Sequence, residues 1–191
     1  MSAGHFLRAG PRDDFGIAAQ YDMRMRFKML IVLASIAVST GASAQSVADR
    51  MHTAAVAYHD KEYAKAIAIW RPLAEQGNAE AQTLLGAMYW SGEGVSRDHA
   101  EAAKWYLRAA KKGYARAQND IGFMYGFGEG IPPHDDVQAY KWISLAIERY
   151  TAKNQDRLDQ AIKDKATLRA RMTPAQLAQA EREIHDFKPS H

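Results

Sequence analysis

Apolar residues beyond position 78 recur every three or four positions, which is the spacing of one face of an α-helix. Ala81, Leu85 and Met88 follow this spacing, and after a glycine-rich stretch Trp105 and Ala109 resume it. The pattern predicts a helix, a glycine loop and a second helix. Each of these helices has one side to bury.

The same helix, loop, helix pattern occurs twice. Residues 79–114 align with residues 115–150, and both copies contain the letters G-x-M-Y-x-x-G-E-G followed by Val or Ile. The second copy has one extra residue after the G-E-G loop, where an insertion is tolerated most easily. Internal repeats of roughly 20 to 50 residues are typical of solenoids, in which each unit packs only on its neighbours.

Glycines recur at fixed places in the two copies. Gly86 and Gly122 lie inside predicted helices, where glycine costs about 1 kcal/mol relative to alanine. We therefore expect the paired helix to approach closely there, at Ala103 and Ala139. The two Gly-Glu-Gly triplets are predicted to end the first helix of each copy with positive φ angles. The apolar residue after each triplet is predicted to tuck back against the helices.

Two flanking segments complete the predicted solenoid. Residues 45–78 are interpreted as a partial unit, in which Tyr63, Ile67 and Trp70 share a face. Residues 151–191 lack the repeat but keep helical stripes, and "TPAQ" from Thr173 has the form of a capping box. The end units of a solenoid need one polar side because no neighbour covers them. The predicted fold class is all-α: an α-solenoid of antiparallel helix pairs with helical N- and C-terminal caps.

The two copies resemble Sel-one-like repeats, a subfamily of tetratricopeptide-like helical repeats. The resemblance implies a scaffold or regulator of envelope and signalling proteins. The second copy departs from the repeat pattern, which indicates that the array ends there; the departures are Ile121, Ile131, Ile147 and Tyr150. The first copy matches the pattern at Ala81, Leu85, Gly86, Tyr89, Gly92, Gly94, Val95, Ala102, Trp105, Tyr106, Ala109, Ala110 and Gly113.

The N-terminal part of the chain has the pattern of a secretory signal peptide over residues 23–44. Residues 23–28 are basic, residues 29–38 are apolar, and Ala42-Ser43-Ala44 fits a cleavage site. An uncleaved anchor is the alternative, but the apolar run is shorter than the roughly 20 residues of a membrane span. Residues 1–22 are interpreted as a non-native or disordered extension, with Met1, Met23 or Met25 as the start. The predicted location is periplasmic or secreted.

Charge and cysteine content limit the classes of partner. The chain has 25 basic and 22 acidic residues, of which five and three precede the predicted cleavage site, leaving 20 and 19. A nearly neutral chain offers no electrostatic reason to bind nucleic acid. Because there is no cysteine, stability must come from packing rather than disulfides. No stable membrane insertion is expected after cleavage.

The sequence offers little catalytic chemistry. It has no G-x-S-x-G, P-loop or H-E-x-x-H motif, and neither a cofactor nor a metal is expected. Glu93 and Glu129 are the best candidates for a catalytic acid, but the sequence favours the alternative that each is a solvated loop tip. We predict a protein that is not an enzyme. The alternative is an envelope enzyme acting on peptidoglycan or β-lactams, which cysteine-rich relatives imply and the lack of cysteine weakens.

One cluster of polar residues has a composition that could bind a metal. His134 and Asp135 are followed by Asp136, and His99 occupies a similar place in the first copy. The alternative is that these residues cap the helices that follow, as Asp98 would in the first copy. The sequence favours capping.

The concave surface of the predicted solenoid is the candidate site. Its lining residues differ between the copies while the framework repeats, and aromatic groups there are typical anchors for a protein or peptide partner, here one of the cell envelope. The alternative is that the C-terminal helices cover these aromatics. The predicted groove residues are Glu80, Thr83, Ala87, Trp90, Arg116, Asn119, Phe123 and Phe127.

Overall fold

The structure is a computed structural model that describes residues 46–128 and 134–190, and within these ranges every regular element is a helix. The predicted extension 1–22 and signal peptide 23–44 lie outside the described residues, as do Glu129 and Ile131. A short 3₁₀ turn at Ala152–Asn154 precedes the seventh helix. The helices are α1 (Val47–His59), α2 (Tyr63–Glu75), α3 (Ala79–Ser91), α4 (His99–Lys111), α5 (Ala115–Phe127), α6 (Asp136–Arg149), α7 (Gln155–Arg171) and α8 (Pro174–His185).

Side chains at the helix ends explain where these helices begin. The Asn78 side chain accepts a hydrogen bond from the backbone N–H of Ala81 at the start of α3. Thr173 and Gln176 form the predicted capping box at the start of α8, with proline in its first turn. Such caps satisfy backbone N–H groups that have no partner within the helix.

The glycine triplets act as the sequence predicts wherever they are described. Gly92 and Gly128 end α3 and α5 in the left-handed conformation, with φ angles of 79° and 70°. Gly94 also has a positive φ of 72°, and a β-carbon there would lie 2.5 Å from the Cβ of Tyr63. Val95 packs against the first buried cluster, as expected of the residue after the triplet.

From α1 to α7, helices that follow one another in the chain pack side by side, which gives the predicted solenoid of helix pairs. Both α7 and α8 pack against α6, so the C-terminal cap covers the last repeat. The second helix of each successive pair buries one tryptophan, namely Trp70, Trp105 and Trp142. Trp70 in α2 shows that the partial unit shares the packing of the two full copies.

The repeated helix glycines mark close approaches, but one predicted neighbour is wrong. A β-carbon at Gly122 would lie 2.7 Å from Ile143 Cγ1 and 3.2 Å from the Ala139 carbonyl oxygen. A β-carbon at Gly86 would lie 2.9 Å from the Tyr106 ring. Tyr106 therefore takes the place that the sequence assigned to Ala103, because the large ring lies flat against the bare backbone of α3.

The C-terminal tail returns towards the second helices of the solenoid. The ring of Phe187 packs edge-on against Trp142, with 5.5 Å between ring centroids. The backbone N–H of Ser190 donates to the carbonyl oxygen of Lys111 at the end of α4, 2.8 Å away. Phe187 thus packs on Trp142 of α6 and not on the predicted aromatics of the concave side.

Candidate functional site

A cavity of about 350 Å³ opens on the concave side of the solenoid. Most of its lining comes from the first helix of each successive pair, α1, α3 and α5, and from α7, which occupies the place of a further first helix. Tyr106 of α4 and Glu93 of the loop after α3 complete it. A volume of this size is typical of pockets that hold a small ligand or a few residues of a peptide. Its lining comprises Tyr58, Ala87, Trp90, Ser91, Glu93, Tyr106, Arg116, Asn119, Asp120, Phe123, Met124 and Arg157.

Five of the eight predicted groove residues line this cavity together. Of the other three, Thr83 is only 1% exposed and its hydroxyl donates to the carbonyl oxygen of Ala79. Glu80 is exposed but does not line the cavity, and the side chain of Phe127 lies outside the described residues. The five that line the cavity are Ala87, Trp90, Arg116, Asn119 and Phe123.

Two aromatic side chains form an edge of the cavity. The Trp90 ring stacks on His99 at a centroid distance of 4.3 Å and meets Phe123 edge-on at 6.1 Å. Phe123 remains 39% exposed, and Trp90 is half-buried. The described C-terminal helices therefore leave these aromatics partly exposed.

Phe123 also borders a smaller crevice, about 60 Å³ in volume, between α5, α6 and α7. Gly122 and Gly126 form part of its wall, together with Ile143 and Leu168. Phe123 thus contributes to two adjoining recesses, one mixed in polarity and one mainly apolar.

Glu93 is held by hydrogen bonds instead of extending into solvent from the loop. The Tyr58 hydroxyl donates to one carboxylate oxygen at 2.8 Å, and the Tyr63 hydroxyl approaches the other at 3.3 Å. Ser91 adds a third contact at 3.1 Å. The bond to Glu93 raises the pKa of Tyr58 above its ordinary value. The interpretation of Glu93 as a solvated loop tip is therefore wrong, because its carboxylate ties the first repeat to α1 and α2.

An incompletely paired charge cluster lies on the polar side of the cavity. Asp120 Oδ2 is 3.9 Å from Arg116 Nε, which is too long for a hydrogen bond. Burial raises the pKa of Asp120 to about 6, although Arg116 and Arg157 act in the opposite direction. Within the described residues, Arg116 Nε and Asn119 Oδ1 are buried without a hydrogen-bond partner. Unsatisfied buried polar atoms are uncommon and carry a free-energy cost.

The candidate metal residues have structural roles wherever they are described. Asp98 and Asp135 cap α4 and α6 by accepting from the backbone N–H groups three residues ahead. Asp136 is paired with Arg171 and lies 3.2 Å from His134. In residues 46–128 and 134–190 there is no cluster of three or more potential metal ligands. A search of the same ranges finds no helix with the length and apolarity of a membrane span.

Comparison with protein families identifies the repeat. The Sel1 repeat family matches residues 79–114 and again residues 115–150, which are the two segments that align with one another in the sequence. The chain carries two Sel1 repeats. Helical repeats of this kind commonly mediate protein–protein interaction, and Sel1-repeat proteins are generally non-catalytic scaffolds. No curated protein matches the sequence significantly.

Two solved structures show the same repeat fold. A protective antigen of uropathogenic Escherichia coli with an SLR fold superimposes with a TM-score of 0.65 at 27% identity, over 76% of this chain and 30% of its own. A Sel1 repeat protein from Oxalobacter formigenes superimposes with a TM-score of 0.52 at 27% identity, over 71% of this chain and 61% of its own. This chain thus spans less than two thirds of either protein.

Several residues of the cavity escaped the sequence analysis. Arg157 enters from α7, beyond the repeats, and no local signal connects it to Arg116. Asp120 lies one helical turn after Arg116, so the i, i+4 spacing could have indicated this pair. The contact between Glu93 and Tyr58 joins residues 35 positions apart, and only the stacking of the partial unit on the first repeat brings them together.

Proposed function

We propose that this protein is an exported, non-catalytic adaptor that holds a protein or peptide partner in the concave cavity of its Sel1 repeats. The observation that carries the proposal is the accessible Trp90–Phe123 pair beside unpaired polar atoms of α5. Aromatic anchors with nearby polar groups are typical of recognition sites. The partner is expected in the cell envelope, since residues 23–44 have the pattern of a signal peptide.

The proposal is non-catalytic because of the way Glu93, the described candidate acid, is held. Glu93 accepts hydrogen bonds from two tyrosines and a serine, which occupy both of its carboxylate oxygens and restrict its movement. A catalytic acid or base has to reach the proton that it transfers on the substrate. No observation on the described residues favours the alternative of an envelope enzyme.

Site-specific photo-crosslinking tests the adaptor function. A photoreactive amino acid placed at Trp90 should capture a specific protein in living cells, and a partner in the groove should be lost when Phe123 is changed to Ala in the same chain. The matched control carries the probe at Lys104, which is exposed on α4 and away from the cavity. Equal capture of the same protein from both positions, or capture that survives Phe123→Ala, would contradict groove binding.

Export is tested separately by the N-terminus of the protein recovered from the periplasm or medium. The proposal predicts a chain that begins at Gln45, identified by mass spectrometry of the intact protein. Recovery of the full chain in the cytoplasm alone would contradict export and leave the groove proposal untouched.

A further inference from the structure

Two arginines and two carboxylates face the cavity. Arg116 and Arg157 bring two guanidinium groups to the lining, and Asp120 is the carboxylate beside them. The positive charges of both arginines oppose the rise that burial causes in the pKa values of Asp120, Tyr106 and Tyr150. Glu93 also faces the cavity, but its oxygens already accept from Tyr and Ser hydroxyls. Arg116, Arg157 and Asp120 together carry a net positive charge, which Glu93 offsets over the lining as a whole.

The contact between Asp120 and Arg116 is too weak to satisfy either group. Their 3.9 Å separation leaves Arg116 Nε buried without an acceptor, while the desolvated carboxylate has a pKa near 6. A second carboxylate that reached the guanidinium groups would gain charge-assisted hydrogen bonds, which are about twice as strong as neutral ones. It would compete with Asp120 for them.

The neighbouring residues show what the rest of such a ligand would be. Asn119 Oδ1 is a buried acceptor without a donor among the described residues, and a peptide N–H is a suitable donor for it. The apolar edge at Phe123 lies seven residues beyond Arg116 in α5, or about 10 Å along the helix axis. In an extended peptide about three residues span that distance.

We infer that the groove selects an internal, extended segment of its partner in which an Asp or Glu lies about three residues from a large apolar residue. This inference rests on the proposed function and specifies its ligand. The acidic side chain binds Arg116 and Arg157, the apolar one packs against Trp90 and Phe123, and Asp120 is a built-in competitor for the arginines. An internal segment fits because the cavity takes its lining from four successive helix pairs, α1 to α7.

The test uses the purified protein and an array of random nine-residue peptides that are N-acetylated and C-amidated, so that no terminal charge can imitate an acidic side chain. The strongest binder is then synthesised with its acidic residue intact or replaced by the matching amide. Affinities are measured for the natural protein and for Arg116→Gln, Arg157→Gln and Asp120→Asn. Arg169→Gln is the matched control, because Arg169 is exposed on α7 and outside the cavity.

We expect the array to select peptides that combine an acidic and an apolar residue at the stated spacing. The amide peptide should bind at least about tenfold more weakly to the natural protein. Arg116→Gln and Arg157→Gln should lose this discrimination between the two peptides, and Arg169→Gln should keep it. Asp120→Asn should bind the acidic peptide more tightly and the amide peptide with unchanged affinity.

The outcomes separate this inference from the proposed function. Binders that share an apolar residue but no acidic one, or discrimination that survives both arginine replacements, overturn the acidic ligand and leave the adaptor in place. An array without any bound peptide overturns both. Tighter binding of both peptides to Asp120→Asn would contradict the competitor role, since a general gain in stability does not distinguish an acid from its amide.

Discussion

Replacing Gly122 by alanine should destabilise the protein although alanine is the better helix former. The added methyl would lie 2.7 Å from Ile143 Cγ1, 3.1 Å from the Ile143 backbone nitrogen and 3.2 Å from the Ala139 carbonyl oxygen. Two of these three atoms belong to the backbone of α6, which cannot move aside without shifting the helix. Overpacking of this kind costs about 1–3 kcal/mol. The roughly 1 kcal/mol that alanine gains by helix propensity offsets part of this cost and leaves a net loss of up to about 2 kcal/mol.

Gly126 provides a matched control one turn later in the same helix. A β-carbon there would meet Ala139 Cβ at 3.5 Å and Leu168 Cδ2 at 3.8 Å, which are ordinary contacts. Gly126→Ala should therefore be neutral or stabilise the fold by up to about 1 kcal/mol. The two variants make the same chemical change in α5 and differ in the space available.

Urea denaturation followed by far-ultraviolet circular dichroism measures the free energy of unfolding of both variants. We expect Gly122→Ala to unfold at a lower urea concentration than the natural protein, and Gly126→Ala at an equal or higher one. A Gly122→Ala variant as stable as Gly126→Ala would refute the view that the repeated glycine permits close helix packing.

Three further predictions concern the cavity and the cap. Glu93→Gln should destabilise the fold by about 1–2 kcal/mol, since a charged acceptor of two tyrosine hydroxyls is lost, and should lower the pKa of Tyr58 in a spectrophotometric titration. Burial raises the pKa of Asp120 from 3.8 to about 6, so the folded protein favours the protonated carboxyl. The free energy of unfolding should therefore fall by at most about 3 kcal/mol as the pH rises from about 4 to 6. Asp120→Asn should remove this pH dependence, as measured by thermal unfolding. Phe187→Ala should cost about 2–3 kcal/mol in urea denaturation because its ring leaves the face of Trp142.

Each of these three predictions would be contradicted by a different result. An unchanged Tyr58 titration in Glu93→Gln would show that the hydrogen bond does not form in solution. A stability that rises between pH 4 and 6 and flattens in Asp120→Asn would mean that ionised Asp120 stabilises the fold. Phe187→Ala with unaltered stability would mean that the tail does not pack on α6.

The repeat made the fold predictable, because the same constraint appears twice in the chain. A glycine that is costly in a helix and yet recurs at Gly86 and Gly122 indicates helix contact, and the Gly-Glu-Gly triplets indicate the helix end through a positive φ. The identity of the contacting side chain was less predictable. Once the extra loop residue of the second copy is counted, Tyr106 corresponds to Ile143, and each of the two lies beside the helix glycine of its own copy.

The candidate site was predictable only where one helix carries it. Arg116, Asn119 and Phe123 share a face of α5, so their spacing was sufficient to place them together. Thr83 lies at the equivalent period of α3 but is buried, and its hydroxyl donates to the Ala79 carbonyl oxygen of its own helix. Arg157 could not be anticipated, because α7 lacks the repeat pattern that would fix its rotation.

The most direct test of the central claim is the change in NMR chemical shifts when a captured partner or array-selected peptide is added to the labelled protein. The account predicts that the largest changes fall on the cavity-lining residues of α3 and α5, with Trp90, Asn119 and Phe123 among them. Changes concentrated on the exposed face of α4, around Lys104, with the cavity residues unmoved, would contradict it.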